Sequence, residues 1–489
     1  MARLSMASFS MTTLARRRTE GKQLLRLALP ICGAQLAQAG MSTVDVIMAG
    51  RASATDLAAV SVGASLWVPL MLFMTGTLIG LTPIVAQHFG SGKKALIRPS
   101  VHQALWVALV LGCAAAGLIW ALVAPVFRFM DVPPHVASLS TGYLHAVAFG
   151  IPGVAFYQTL RAYSDGMNHT RPALWISLIG LGVNVPCNYV LIYGGAGMTA
   201  LLGNYTPALL TSLPALGAVG CGIATALAMW VMCGAMMMYT HRARAYRGVS
   251  LWSRPAAPNR KLIFELLHIG LPIGVAIFAE VTLFTLIALF IAGFGEVVVA
   301  AHQVALNFTS LLFMLPLSLG MALTVRVSNT LGQGNAAHAR FIAWNGVGLS
   351  LGAAMINNMI LLATASWVVT LYSNNAEVQH LAKMLMYLAV IHQISDALQV
   401  NMAGALRGYK DTRIIMAITL FSYWVVGLGG GHLLGKGWQG VFEGLGVYGY
   451  WIGLIAGLTV AASLLGLRLN HISKALNNGK RPLDTVITE

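Results

Sequence analysis

Charge is scarce in this sequence. Only 9% of its 489 residues are Asp, Glu, Lys or Arg, while 57% are hydrophobic. A soluble domain carries roughly 25% charged residues, so a soluble fold is excluded and a multi-pass membrane protein is implied. Acids are scarcer than bases, 14 against 30, leaving a net charge of +16. The excess does not point to nucleic acid, because the basic residues cluster on no soluble domain. Cysteines number five (Cys32, Cys113, Cys187, Cys221 and Cys233), all within apolar segments and none in a CxxC pair. That excludes a disulfide framework or a thiolate metal site and leaves small core hydrophobes. Enzyme signatures are missing too. There is no GxSxG, HExxH or Walker loop, and Gly90-Ser-Gly92-Lys-Lys lacks the spacing of a phosphate loop. No small-residue cleavage site follows the apolar run after Lys22, so the first helix reads as retained.

What is present is a series of apolar runs, each near the ~20 residues a spanning helix needs. Twelve helices are expected at about 24–48, 56–86, 100–126, 136–160, 172–194, 215–239, 262–293, 297–328, 340–371, 378–403, 413–434 and 446–470. Assigning alternate loops to opposite sides places 26 of the 30 Lys and Arg on one side, leaving Arg51, Arg128, Lys383 and Lys436 on the other. Basic loops stay inside, so both termini are expected in the cytoplasm.

The chain also repeats. One offset of 242 residues carries Leu29-Pro30-Ile31 onto Leu271-Pro272-Ile273, Gly90 and Gly92 onto Gly332 and Gly334, and Thr170-Arg171 onto Thr412-Arg413. Each half holds six helices. Six is even, so both halves enter from the same side and the repeat is parallel, about an axis along the membrane normal. The expected fold is all-α and integral to the membrane, with twelve transmembrane helices in two six-helix lobes. The divisions are a cytoplasmic segment 1–23, an N-lobe 24–239, a polar linker 240–261, a C-lobe 262–470 and a tail 471–489.

Three acids lie well inside apolar runs: Asp45, Glu280 and Asp396. A charge at the bilayer centre costs about 2.5–3.5 kcal/mol on insertion scales, so an intramembrane acid is a functional candidate by default. No Lys or Arg is expected beside them within the membrane, which leaves them free to bind H⁺ or Na⁺. The repeat places Glu280 on Gln38 and Asp45 on Ile287, so two chemically different lobes are expected. His392 precedes Asp396 by one turn. It is either a proton-exchange partner or a hydrogen-bonded packing residue. Asn184-Val-Pro186-Cys-Asn188 puts two amide side chains on one helix face beside a proline, a donor set that suits Na⁺ or a hydrogen-bonded proton site, or else helix–helix hydrogen bonding.

Several motifs together resemble the multidrug and toxic compound extrusion (MATE) family, in its NorM-like bacterial branch. They are Val44-Asp45-Val-Ile-Met-Ala-Gly50, Pro83-Ile-Val-Ala-Gln87, Asn184-Val-Pro-Cys-Asn188, Ala300-Ala-His-Gln303-Val-Ala-Leu-Asn307 and Leu406-Arg-Gly408. The resemblance runs from about Leu25 to about Leu469. It implies a multidrug efflux antiporter, not an enzyme, exporting cationic lipophilic drugs and dyes in exchange for H⁺ or Na⁺ as two lobes rock. It implies a cation site at Asp45, Asn184, Asn188 and Thr225 and a second at Glu280 and Asp396. Where the family has an aromatic near the tenth-helix Asp, this chain has His392, and Gln38, His392 and Gln303 are candidates for a relay or the substrate cavity. No cofactor beyond the coupling ion is expected. The expected partners are organic cations and the lipid bilayer, and the protein is expected to be monomeric. A lipid-linked flippase of related architecture and an integral-membrane lipid-modifying enzyme are the alternatives. The first would want a basic cavity, and the second a cluster of catalytic polar groups at the membrane surface.

Overall fold

The computed structural model describes residues 2–203, 212–253, 256–438 and 442–479, with side chains from Leu14 onward except those of 201 and 202. Twelve long helices account for nearly all of these residues. They are α1 (Ala2–Ala52), α2 (Ala54–Gly90), α3 (Lys94–Phe129), α4 (Pro134–Gly166), α5 (Arg171–Leu202), α6 (Gly217–Arg242), α7 (Arg260–Ile291), α8 (Glu296–Gly332), α9 (Ala336–Tyr372), α10 (Ala376–Gly408), α11 (Thr412–Lys436) and α12 (Val447–Asn477). A two-residue antiparallel pair, Gly437–Trp438 with Phe442–Glu443, joins the last two.

Ten of the twelve are long and apolar enough to cross a membrane. The other two, α1 and α10, carry the polar side chains that the sequence singles out, among them Gln38 and Asp45 in the first and His392 and Asp396 in the second. These residues lower the hydropathy of the helices that hold them. Large apolar side chains such as Trp175, Leu289, Met359 and Leu467 stay more than 60% exposed. In water they would be a liability, and in a bilayer they meet lipid.

The helices fall into two compact units. One comprises Gly33–Leu81 and Lys94–Gly274; the other comprises Met1–Cys32, Thr82–Lys93 and Val275–Glu489. In the first unit α4 is central, packing on α2, α3 and α6, while α5 packs on α6. In the second unit α10 is central, packing on α8, α9 and α12, while α11 packs on α12. Adding six to each helix number in the first set gives the second, so the sequence repeat is a repeat of packing.

Helix ends explain part of this geometry. Ser53 caps α2, its hydroxyl accepting from Asp56 N at 2.9 Å. The Asp56 carboxylate in turn accepts from Ala218 N at 2.7 Å, meeting an orphan N–H at the start of α6 where a negative charge is favoured. The segment expected as a polar linker is more structured than its composition implies. Tyr246, Val249 and Leu251 are buried. The Tyr246 hydroxyl lies 2.6 Å from Ser164 Oγ, and Gln103 accepts from Asn259 N. Helix α1 begins at Ala2, far earlier than the expected 24, because Arg, Lys, Leu, Gln and Glu before Pro30 all favour helix and nothing breaks it.

Inside the second unit, two stretches related by the 242-residue offset cross each other. A Cβ on Gly90 would stand 2.0 Å from Asn329 O, and one on Gly332 would stand 2.2 Å from Gln87 O. Gly90 and Gly332 are repeat mates, and so are Gln87 and Asn329. Each copy thus presses its glycine onto the other's backbone, as small residues permit in membrane helix packing. Gly332→Val drives a branched side chain into a carbonyl, and overpacking of this kind costs about 1–3 kcal/mol or more. A lowered thermal midpoint of the detergent-solubilised protein is the expected result; an unchanged midpoint would show that the crossing tolerates separation.

Candidate functional site

In the first unit, Asp45 lies within α1, two turns after Gln38, and is 6% exposed. Its Oδ1 accepts from Asn184 Nδ2 at 3.1 Å and from Asn188 Nδ2 at 2.6 Å. Its Oδ2 accepts from Thr225 Oγ1 at 2.9 Å. The i,i+4 spacing on α5 brings the two amides to one face, and α6 supplies the hydroxyl. Three of the expected residues therefore converge on the Asp45 carboxylate. None of its hydrogen-bond partners carries a charge. The carbonyl oxygens Asn184 Oδ1 and Asn188 Oδ1 are buried and have no hydrogen-bond partner. Turning either amide over exchanges its donor for its acceptor, so the same side chains can cage an anion or offer hard oxygens to a cation. A fourth neighbour was missed in the sequence: Cys221, whose thiol stands beside the Asp45 carboxylate. It stands four residues before Thr225, on the same face of α6, and that spacing was the available signal.

Gln38 does not reach this group. It donates through Nε2 to Ser177 Oγ at 3.2 Å, and the Tyr157 hydroxyl meets the same Ser177 at 3.1 Å. Further along α4 the structure corrects a sequence expectation. Arg161, counted as a loop charge, is 3% exposed within the helix, as is Asp165. Arg161 Nε lies 3.6 Å from Asp165 Oδ2, an i,i+4 pair that was legible as such.

In the second unit, Asp396 is buried and its Oδ1 has no hydrogen-bond partner. Glu280, on α7, is half-buried. The two carboxylates lie close enough to act on each other electrostatically. Here the expectation that no opposite charge stands near the acids fails. The guanidinium of Arg407, in the last turns of α10, acts on Glu280, and the buried Tyr423 hydroxyl feels Glu280, Asp396 and Arg407 together. Arg407 was assigned to a loop because α10 was expected to end at 403, whereas it runs to Gly408.

His392 is buried one turn from Asp396, but neither ring nitrogen has a hydrogen-bond partner. Its ring instead makes edge contacts with Phe284 and Trp451, at centroid distances of 6.4 and 6.0 Å. Trp451 Nε1 donates to His302 Nδ1 at 3.2 Å. Gln303 joins neither carboxylate group; its Nε2 lies 3.3 Å from Asn307 Oδ1 on an exposed face of α8. Among the described residues no group of three or more His, Cys, Asp or Glu gathers as a metal cluster would. The oxygen-rich cage around Asp45 suits a monovalent cation or a proton rather than zinc.

A repeated bundle of membrane-spanning helices that buries acids at two places has the architecture of a secondary transporter. The chain belongs to the MatE family, whose sequence profile matches it twice, over residues 30–190 and 272–432. Both matches are displaced by the same 242 residues as the repeat read from the sequence. The chain is 45% identical over 453 residues to multidrug resistance protein PmpM of Pseudomonas aeruginosa, covering 92% of this chain and 91% of that protein. It is 42% identical over 455 residues to multidrug resistance protein MdtK of Yersinia pseudotuberculosis, covering 93% and 96%. Among solved structures, an outward-facing multidrug resistance MATE family transporter aligns with a TM-score of 0.82 at 19% identity, over 94% of this chain and 97% of that one. The eukaryotic MATE transporter AtDTX14 aligns with a TM-score of 0.80 at 19% identity, over 94% and 99%.

The electrostatic pairing of Arg407 and Glu280 is testable. Arg407→Gln leaves a half-buried acid uncompensated, and Glu280→Gln leaves a half-buried cation. Each single change should lower the thermal midpoint, and the double variant should lie above their sum, with an interaction of at least about 0.5 kcal/mol. Strict additivity would show that the two side chains do not interact.

Proposed function

We propose that this chain is a multidrug efflux antiporter of the bacterial inner membrane, exporting lipophilic organic cations in exchange for H⁺ or Na⁺ as a monomer with both termini in the cytoplasm. The observation that carries this reading is the Asp45 cage: a carboxylate buried in a membrane helix and held only by neutral hydrogen-bond partners, Asn184, Asn188 and Thr225. A buried charge must be compensated. With no fixed cation to do so, the compensating charge is one that comes and goes.

The cycle follows from that requirement. In the state open to the periplasm, H⁺ or Na⁺ binds Asp45, its site loses its negative field, and a cationic drug held by that field dissociates. After the change of access, release of the ion to the cytoplasm restores the charge, which attracts the next drug. Each ligand moves the equilibrium only by its difference in affinity for the two states. Glu280 differs from Asp45 in standing beside Arg407, so we assign coupling to Asp45 and a substrate-attracting or positioning role to Glu280 and Asp396. The multidrug names of the 42–45% identical relatives support the substrate class.

Proteoliposomes that take up a fluorescent cationic dye under an imposed pH or Na⁺ gradient test the reading, and the gradient that works identifies the ion. Asp45→Asn should abolish dye uptake while leaving the size-exclusion profile unchanged; coupled uptake by this variant would return Asp45 to a structural role. His392→Phe preserves the ring contacts with Phe284 and Trp451 and should leave the pH profile of transport in place. A shifted profile would make His392 a proton carrier despite its apolar setting.

A further inference from the structure

A cavity of about 1110 Å³ in the second unit lies away from the buried acids, between the early part of α1 and the start of α9. Its wall carries Arg17, Arg18, Lys22 and Arg340 and no acidic residue. Glu20, in the same stretch of α1, is already engaged, 2.7 Å from Arg326 and 3.2 Å from His338. Arg16 is engaged as well, contacting His338 and lying 4.4 Å over the Phe341 ring. Arg17, Arg18 and Lys22 make no ion pair among the described residues and are exposed. Arg340 donates to Asn470 Oδ1 at 3.3 Å. Among the described residues four cations thus line a single hollow with no acid on its wall, an arrangement that repels organic cations and attracts an anion.

The floor of the hollow is apolar, formed by Leu25, Leu349 and the exposed indole of Trp344. Trp344 also lines a second cavity of about 490 Å³ that runs on between α9, α10 and α12. There Gly466 and Ser463 leave a slot beside Met402. A basic chamber that shares Trp344 with a mostly apolar slot along membrane-spanning helices matches one kind of occupant in both its halves. A Trp at the junction marks the depth at which aromatic side chains meet lipid headgroups.

We infer that the basic chamber and the slot below it form a binding site for an anionic phospholipid, with the phosphate among Arg17, Arg18, Lys22 and Arg340 and an acyl chain along Gly466. Basic pockets between transmembrane helices are known to hold such headgroups. The lipid comes from the leaflet that borders the basic loop ends, and it ties α1 to α9 by bridging cations on both. This site is independent of the drug-export reading and survives its failure.

Binding of phosphatidylglycerol and phosphatidylcholine to the purified full-length protein, followed by native mass spectrometry from detergent, tests the inference. Phosphatidylglycerol should bind in preference, and the preference should shrink on raising NaCl to 0.5 M, which screens the cations. The triple variant R17Q/R18Q/K22Q should lose on the order of a hundred-fold in phosphatidylglycerol affinity, with phosphatidylcholine unaffected. Gly466→Leu fills the slot. It should weaken the intact lipid several-fold and leave deacylated glycerophosphoglycerol unchanged. Equal binding of the two lipids, or a salt-insensitive preference, would overturn the proposal. So would deacylated headgroup or inorganic phosphate binding as tightly as the lipid. The salt and soluble-headgroup arms use the wild-type protein and hold even where the triple variant does not fold.

Discussion

A carboxylate in a membrane helix sets the terms for much of this molecule. Taking an isolated charge out of water is so unfavourable that it persists only when hydrogen bonds or an opposite charge replace the lost hydration. Around Asp45 the replacement is three neutral donors drawn from two further helices, and that requirement fixes how α1, α5 and α6 approach one another. The two asparagines need α-helical spacing to reach one oxygen, and Thr225 must face the other. Hydrogen bonds of this kind offset part of the desolvation cost.

The second half solves the same problem differently. Glu280 takes the place of Gln38, Ile287 takes that of Asp45, and Arg407 takes that of Asp165. In the first half the intramembrane cation, Arg161, serves Asp165 one turn away and leaves Asp45 alone. In the second half the cation acts on Glu280, and Tyr423 joins the cluster. Duplication supplied one scaffold, and moving a few ionisable groups along it produced one acid with a permanent counter-charge and one without.

Much of this was legible in the sequence, for identifiable reasons. Runs of apolar residues declare spanning helices because a bilayer leaves no other choice for the backbone. The repeat was visible because Gly, Pro and Arg at fixed offsets mark turns and helix ends that cannot drift. Asp45, Asn184 and Asn188 stood out as polar groups in apolar surroundings. What escaped were interactions made by residues that look ordinary one at a time. Arg161 and Arg407 read as loop charges because helix ends cannot be placed to within a turn, and one turn decides whether a guanidinium is buried. Cys221 read as filler because a thiol is both small and weakly polar. The role of His392 depended on which ring faces it, and spacing along its own helix says nothing about Trp451 on another.

The glycine crossing of Gly90 and Gly332 carries a consequence for how such a protein changes over time. Two copies of a duplicated segment normally drift apart, each answering to its own surroundings. Here each copy is the surroundings of the other: the glycine of one meets the carbonyl of its twin, and the reverse. A side chain gained on either partner collides with a backbone, which cannot be trimmed by any compensating substitution. The two halves are free to trade acids for amides elsewhere, but at this crossing the ancient symmetry is enforced by contact, and it holds for as long as the helices touch.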